Sequence, residues 1–216
     1  DDEYHKVSDD NKALYGVLTA DNIQEYKDRI VWLPKFELSG SLYTKFKDFN
    51  ILKGTPILDC NKVTNMSQTF YGCVSLTCLY LKNTSKISNL ASAFRNCYLL
   101  TQIHPFDTST NTSCDYICYG DVSLKEGLSL NISGTKDIRY QYTTCSHMIK
   151  CGDIDAAGRD ISTLFGGCTN LSYVNIYGLC SNLNLNSSVN FSQSSLLYMI
   201  EHEAATSAIT ISLHAV

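Results

Sequence analysis

A small polar residue recurs along this 216-residue chain at intervals of 24, 24, 24, 24 and 23 residues, and each time an apolar residue follows five positions later, aromatic in all but one case. The polar column is Ser41, Asn65, Asn89, Ser113, Asp137 and Asp160; its apolar companion is Phe46, Phe70, Phe94, Cys118, Tyr142 and Phe165. A chain with such a period is built of repeating units, and each unit must stack on its neighbours to hide its apolar side.

The intervening positions agree with one unit design. Every member of the polar column is a preferred helix N-cap. Directly after it stand Leu42, Met66, Leu90, Cys114, Ile138 and Ile161, which with the column four positions on form an i, i+4 apolar pair. Two residues past the bulky position come Asp48, Gly72, Asn96, Gly120, Thr144 and Gly167, a set rich in residues that tolerate the left-handed backbone at a helix end. The expectation is six short helices beginning near Leu42, Met66, Leu90, Cys114, Ile138 and Ile161, each of two turns or less.

A mostly cysteine column follows (Phe49, Cys73, Cys97, Asp121, Cys145, Cys168), then Leu52, Leu76, Leu100, Leu124, Met148 and Leu171. Beyond these, period-2 alternation marks half-buried strands, clearest in Leu79-Tyr80-Leu81 and Val174-Asn175-Ile176. The third to fifth units slip here by about a residue, so their strands are expected to be bulged. One short helix and one short strand per unit, with Leu-x-x-Leu-x-Leu inside, predict an α/β leucine-rich-repeat solenoid of about six units, parallel strands on one surface and helices on the other.

The stretch NMSQTFYGCVSLTCLYL at 65–81 and its echo NLASAFRNCYLLTQI resemble the BspA-like leucine-rich repeats of bacterial surface proteins, whose units run roughly N-M-S-x-M-F-x-x-C-x-x-L-x-x-L-x-L. The resemblance covers about residues 39–180 and is carried by the second, third and sixth units more than by the fourth and fifth. It implies the solenoid and a cell-surface location, with adhesion or partner binding rather than one enzymatic activity. The C-terminal stretch FSQSSLLYMIEHEAATSAITISLH resembles closing segments that follow such repeats in gut Bacteroides proteins and in their phages or prophages.

Residues 1–38 read as an N-terminal cap with one or two strands around Ile30-Val31-Trp32-Leu33, and 181–216 as a C-terminal cap. In the latter, Ser192 caps a helix with Leu196, Leu197, Met199 and Ile200 on its apolar face, and 208–213 alternates as a final strand. All three parts form one structural domain, with no linker between them. Net charge is −4 with no basic run, which argues against a nucleic-acid partner. No stretch approaches the ~18 apolar residues of a membrane span. Asp1-Asp2-Glu3 has the wrong charge for a signal n-region, so the chain reads as processed or trimmed.

Ten cysteines outside a cell would ordinarily suggest disulfides. Here the repeat explains Cys73, Cys97, Cys145 and Cys168 as one packing column, and buried free thiols are expected; Cys78, Cys114, Cys118 and Cys180 are less constrained. Cys145, His147 and Cys151 would need to converge with Cys168 to hold zinc, but Cys145 and Cys168 are core positions and Cys151 falls in the strand column. The run from Asp153 to Asp160 begins like a calcium loop but has Ala157 and Leu164 where ligands should stand. Glu201-His202-Glu203 does not match a zinc-helix pattern. The Asn-x-Ser/Thr triplets at Asn65, Asn83 and Asn131 follow from turn and cap chemistry. No cofactor or metal, and no enzyme, is expected.

Tyrosine is abundant, 14 in the chain. The strand phase turns Tyr80, His104, Tyr173, Asn175 and Tyr177 outward, with Lys82 and Gln102 nearby. Tyrosine joins a flat apolar ring to a hydroxyl, a combination suited to gripping a protein or glycan. The expected function is a surface-displayed, non-catalytic binding module using these seven residues; the alternative is a structural or receptor-binding part of a phage tail or virion.

Overall fold

The computed structural model describes residues 22–35, 37–110, 113–130, 138–203 and 209–213. Asp137, Asn131 and Ala208 lie outside them, as does most of the expected N-terminal cap. The chain winds as a parallel β-solenoid of about seven turns, roughly 24 residues each, and every strand pair among the described residues is parallel. Coils are numbered here from the polar residue that opens each, the first from Ser41.

One ladder runs the whole length. The N–H groups of Lys53, Thr77, Thr101, Lys125, Ile149, Ser172 and Ser192 donate to the carbonyls of Val31, Lys53, Thr77, Thr101, Lys125, Ile149 and Ser172 in turn. Trp32 bridges Gly54, so the ladder begins inside the segment expected to be a cap. Further along the coils a second set of pairings joins Leu58–Asp59 with Leu81–Lys82 and Ile154–Asp155 with Ile176–Tyr177, with Leu130 bridging Ile154. The expected irregularity of the third to fifth units does not set them apart: Gln102–Ile103 and Glu126–Gly127 are two-residue strands like Cys78–Leu79 and Ile176–Tyr177, and the register shift among the described pairs lies at Gly40/Ser41.

The six expected helices are not helices. Residues 43–48, 67–72, 91–96, 115–120, 139–144 and 162–167 are runs of turns, and the only α-helix among the described residues is α1, Gln193–Glu201. The reason is where the N–H groups go. A two-turn helix leaves most of its backbone groups unpaired at its ends, whereas here alternate N–H groups reach the next coil: Leu42 to the Asn65 carbonyl, Thr44 to Ser67, Phe46 to Thr69 and Asp48 to Tyr71. The N–H groups between them bend back, Lys45 to Leu42 and Lys47 to Thr44. Coils two and three repeat this scheme.

This path requires left-handed residues. All six members of the Asp48-to-Gly167 column have positive φ, though they end no helix, and so do Thr44, Gln68, Ser92, Tyr116 and Tyr140. Each non-glycine member costs about 1–2 kcal/mol, offset by inter-coil hydrogen bonds and burial. In the first column polar residue and glycine alternate because the side chains of Asp48 and Asn96 lie where a Cβ on Gly72 and Gly120 would stand. The polar openers do bind the backbone as anticipated, but as turn residues: Asn65 Oδ1 accepts from Ser67 N–H at 2.8 Å, Asn89 from Ala91 at 2.9 Å and Asp160 from Ser162 at 2.9 Å.

The apolar columns fill the interior. Phe46, Phe70 and Phe94 stack with centroids 5.1 and 6.3 Å apart, Cys118 interrupts, and Tyr142 and Phe165 resume at 5.8 Å; such pairs add about 0.5–1.5 kcal/mol each beyond area burial. Tyr142 keeps its hydroxyl satisfied by donating to the Leu128 carbonyl at 2.9 Å. A seventh coil, not anticipated, opens at Asn184, 24 residues after Asp160, with the same turn bond to Asn186 N–H. It is closed by α1, which Ser192 caps by accepting from Ser195 N–H at 3.2 Å, and by Ile211–Leu213, which pairs with Leu183–Leu185. Of the expected apolar face of α1, Met199 is buried, whereas Leu197 and Ile200 are exposed.

Candidate binding surface

The cysteine column is interior and structural. Cys73, Cys97, Cys145 and Cys168 are buried and unbridged, and each thiol donates to a backbone carbonyl of the preceding coil: Phe46, Phe70, Cys118 and Tyr142, at 3.0 to 3.1 Å. Burial pushes the Cys73 and Cys168 thiols up to about 12, far from a reactive thiolate at neutral pH. Asp121 holds the same position in the fourth coil. Its Oδ1 accepts from Cys97 N–H at 2.8 Å, its Oδ2 is enclosed without a partner, and burial drives its carboxyl well above the usual range.

The residues considered for metals do not converge. Cys145 and Cys151 donate to the carbonyls of Cys118 and Leu128, while exposed His147 sets Nδ1 against the Val122 carbonyl at 2.7 Å. Asp153 accepts from Asn175, Asp155 pairs with Arg159 at 3.3 Å, and Asp160 serves its own turn. Among the described residues no group of three or more His, Cys, Asp or Glu could hold a metal ion.

The outward residues fall into two groups on one side of the solenoid. Tyr80, Lys82, Gln102 and His104 belong to coils two and three, where the rings of Tyr80 and His104 lie 4.7 Å apart. Lys82 reaches Asp59 of the coil before at 3.2 Å, and Asn83 donates to the same carboxylate at 3.0 Å. Those bonds and Asn61 N–H hold Asp59 below the usual carboxylate range. Tyr173, Asn175 and Tyr177 belong to coil six, three coils further, roughly 14 Å away at the usual strand spacing. Tyr177 is partly sunk, and burial followed by the nearby Asp155 and Asp153 raises its hydroxyl.

Between the groups the same outward column carries Glu126 and Lys150, paired at 3.0 Å, with Lys150 bridging Tyr173 in backbone register. Strand alternation singled out neither, though both stand one period from Gln102 and Tyr173 and were legible by spacing. The assembled surface is Tyr80, Gln102 and His104 at one end, an ion pair in the middle and Tyr173 at the other. Tyr80 and Tyr173 are 42% and 41% exposed, enough to offer ring faces to a partner. Threonine hydroxyls beside them, such as Thr77 on the Lys53 carbonyl and Thr101 on the Thr77 carbonyl at 3.0 Å, stiffen the ladder beneath.

No protein-family model, curated protein or solved structure matches this chain. No helix among the described residues is long and apolar enough to cross a membrane.

Proposed function

We propose that this solenoid is a non-catalytic recognition module of the BspA-like leucine-rich-repeat kind, displayed outside a bacterial cell and binding a protein or glycan through its strand surface. The observation that carries this reading is two adjacent outward columns on a continuous hydrogen-bonded ladder, one with exposed Tyr80 against the half-buried His104 ring and one with exposed Gln102 and Tyr173. Rings held on such a ladder meet a partner with little conformational entropy left to lose. Burial of the column thiols Cys73, Cys97, Cys145 and Cys168 supports a non-catalytic role for that column, since these nucleophiles are withdrawn from solvent and burial raises their thiols away from the ionised form.

The test begins with a glycan array and a pull-down from host-cell and bacterial-surface extracts. For a partner so found, replacing Tyr173 and Tyr177 together by alanine, or Tyr80 and His104 together, should weaken binding by at least ~1 kcal/mol each. The fold should survive, because Val174 and Ile176 supply the buried contacts of that strand. Unchanged affinity in both double variants, or loss of binding with EDTA, would place recognition elsewhere.

A further inference from the structure

Away from the strand surface, one column of the turn runs alternates cations with aromatic rings. Six residues after each opener stand Lys47, Tyr71, Arg95 and Tyr119, on consecutive coils. Lys47 Nζ lies 4.8 Å from the centre of the Tyr71 ring, and the Arg95 guanidinium carbon lies 5.7 Å from Tyr71 and 4.7 Å from Tyr119. Tyr116 adds a ring 4.9 Å from Arg95 and stacks on Tyr140 of the fifth coil at 5.2 Å and 3°. Both Tyr116 and Tyr140 hold left-handed backbone, with φ of 57° and 66°, a conformation bulky residues rarely adopt.

This array has cations and rings but no anion. Arg95 Nε is shielded from water with no hydrogen-bond partner. Among the described residues no carboxylate lies within ion-pair distance of Arg95 or Lys47. Ring faces attract a guanidinium but do not replace the acceptors that its planar fork is shaped for.

We propose that the column is a binding site for an acidic glycan carrying one carboxylate per disaccharide. Lys47 and Arg95 are two coils apart, roughly 10 Å at the usual strand spacing, close to the length of one β-linked disaccharide unit. The cations take carboxylates of successive disaccharides, Arg95 by its two-toothed fork, and Tyr71, Tyr116, Tyr119 and Tyr140 offer faces and hydroxyls to the sugar rings. Two cations on an acidic chain do not suit a nucleic acid, whose every nucleotide brings a charge that extended basic surface must meet. The site uses turn columns and shares no residue with the strand surface carrying Tyr80 and Tyr173.

The test is calorimetric titration of the full chain with a hyaluronan octasaccharide, with a neutral chitin-type octasaccharide of equal length and with a mixed-sequence DNA octanucleotide. The acidic sugar should bind, and the other two should bind at least about tenfold more weakly. Arg95→Gln and Lys47→Gln should each weaken the acidic sugar by about tenfold, Arg95→Lys should fall between, and Lys86→Gln, which removes an exposed cation outside both surfaces, should bind as wild type does. Lys47 is only partly buried, so its variant keeps the test valid should the Arg95 variants unfold. The proposal is overturned if the acidic octasaccharide does not bind, if the neutral sugar or the DNA binds equally well, or if Lys47→Gln retains full affinity.

Discussion

Asp121 occupies the position that four other coils give to a cysteine, and replacing it by asparagine isolates the energetics of that position. In those coils a thiol hydrogen points at a carbonyl of the coil before. Asp121 can supply a comparable hydrogen only as the neutral acid, because an ionised carboxylate leaves the enclosed Oδ2 unmatched. Burial raises its pKa well above 3.8, against the lesser pull of Cys97 N–H and the Cys118 thiol. The titratable groups facing it are Cys97 from the third coil, Cys118 from its own and Cys145 from the fifth, all kept neutral by burial. The folded chain therefore keeps a proton that the unfolded chain releases near pH 3.8. The group's contribution is full below that pH and is lost as pH rises toward the folded-state value. Asparagine keeps the shape, still accepts from Cys97 N–H, and carries a donor at every pH. Asp121→Asn should thus match wild type near pH 4 and gain on it above, by no more than about 1.4 kcal/mol per pH unit. The gain should reach about 1–3 kcal/mol by pH 7, the usual cost of an unmatched buried polar group. Urea midpoints of both proteins at whole pH steps from 4 to 8 measure this. Glu37, Asp59 and Asp107, held below the usual range, contribute in the opposite sense and lose it in acid, but they are common to both proteins and cancel in the difference. A difference that stays flat from pH 4 to 8 would refute the argument.

Denatured protein alkylated without reductant should show ten free thiols, whereas native protein should react fast only at Cys78 and Cys180, the two that are not buried; a disulfide between any two of Cys73, Cys97, Cys145 and Cys168 would contradict the packing. Gly72→Ala should lower stability by about 1–2 kcal/mol for the left-handed backbone alone, φ being +74° there, with an added steric part from the Asp48 carboxylate. Asp48→Ala in the same chain should recover only that steric part in urea unfolding, and full recovery would show the backbone strain to be negligible.

The winding of the chain was legible because stacking asks the same position of every coil to meet the same surroundings. That is why Phe46, Phe70 and Phe94 line up, why Leu52 to Leu171 are buried with them, and why Asp48 to Gly167 all take left-handed backbone. The seventh coil carried the same mark in Asn184 and Leu185, but Val189, 48% exposed, replaces the aromatic and α1 shortens the turn, so the repeat fades there. The role of the cysteines was half legible. Their burial follows from the column, but the carbonyl each thiol meets lies 26 or 27 residues back, and no local pattern records it.

The helices were misjudged because two structures share one local signature. A small polar side chain accepting an N–H two residues on opens a helix and an Asx turn alike, and an apolar i, i+4 pair suits either. The deciding fact is long-range: whether the N–H groups of Thr44 and Phe46 turn to their own segment or to the next coil. The left-handed column Thr44, Gln68, Ser92, Tyr116 and Tyr140 contains no glycine to announce itself. The difference reaches the surface as well. Helices packed side by side sit 8–10 Å apart, so side chains one repeat apart on their outer faces would stand well separated, whereas coils joined by backbone hydrogen bonds repeat at ~4.8 Å. Only the second spacing lets Lys47, Tyr71, Arg95 and Tyr119 touch in sequence. The replacement of helix by turn is therefore what turns a 24-residue alternation of cations and rings into one continuous surface.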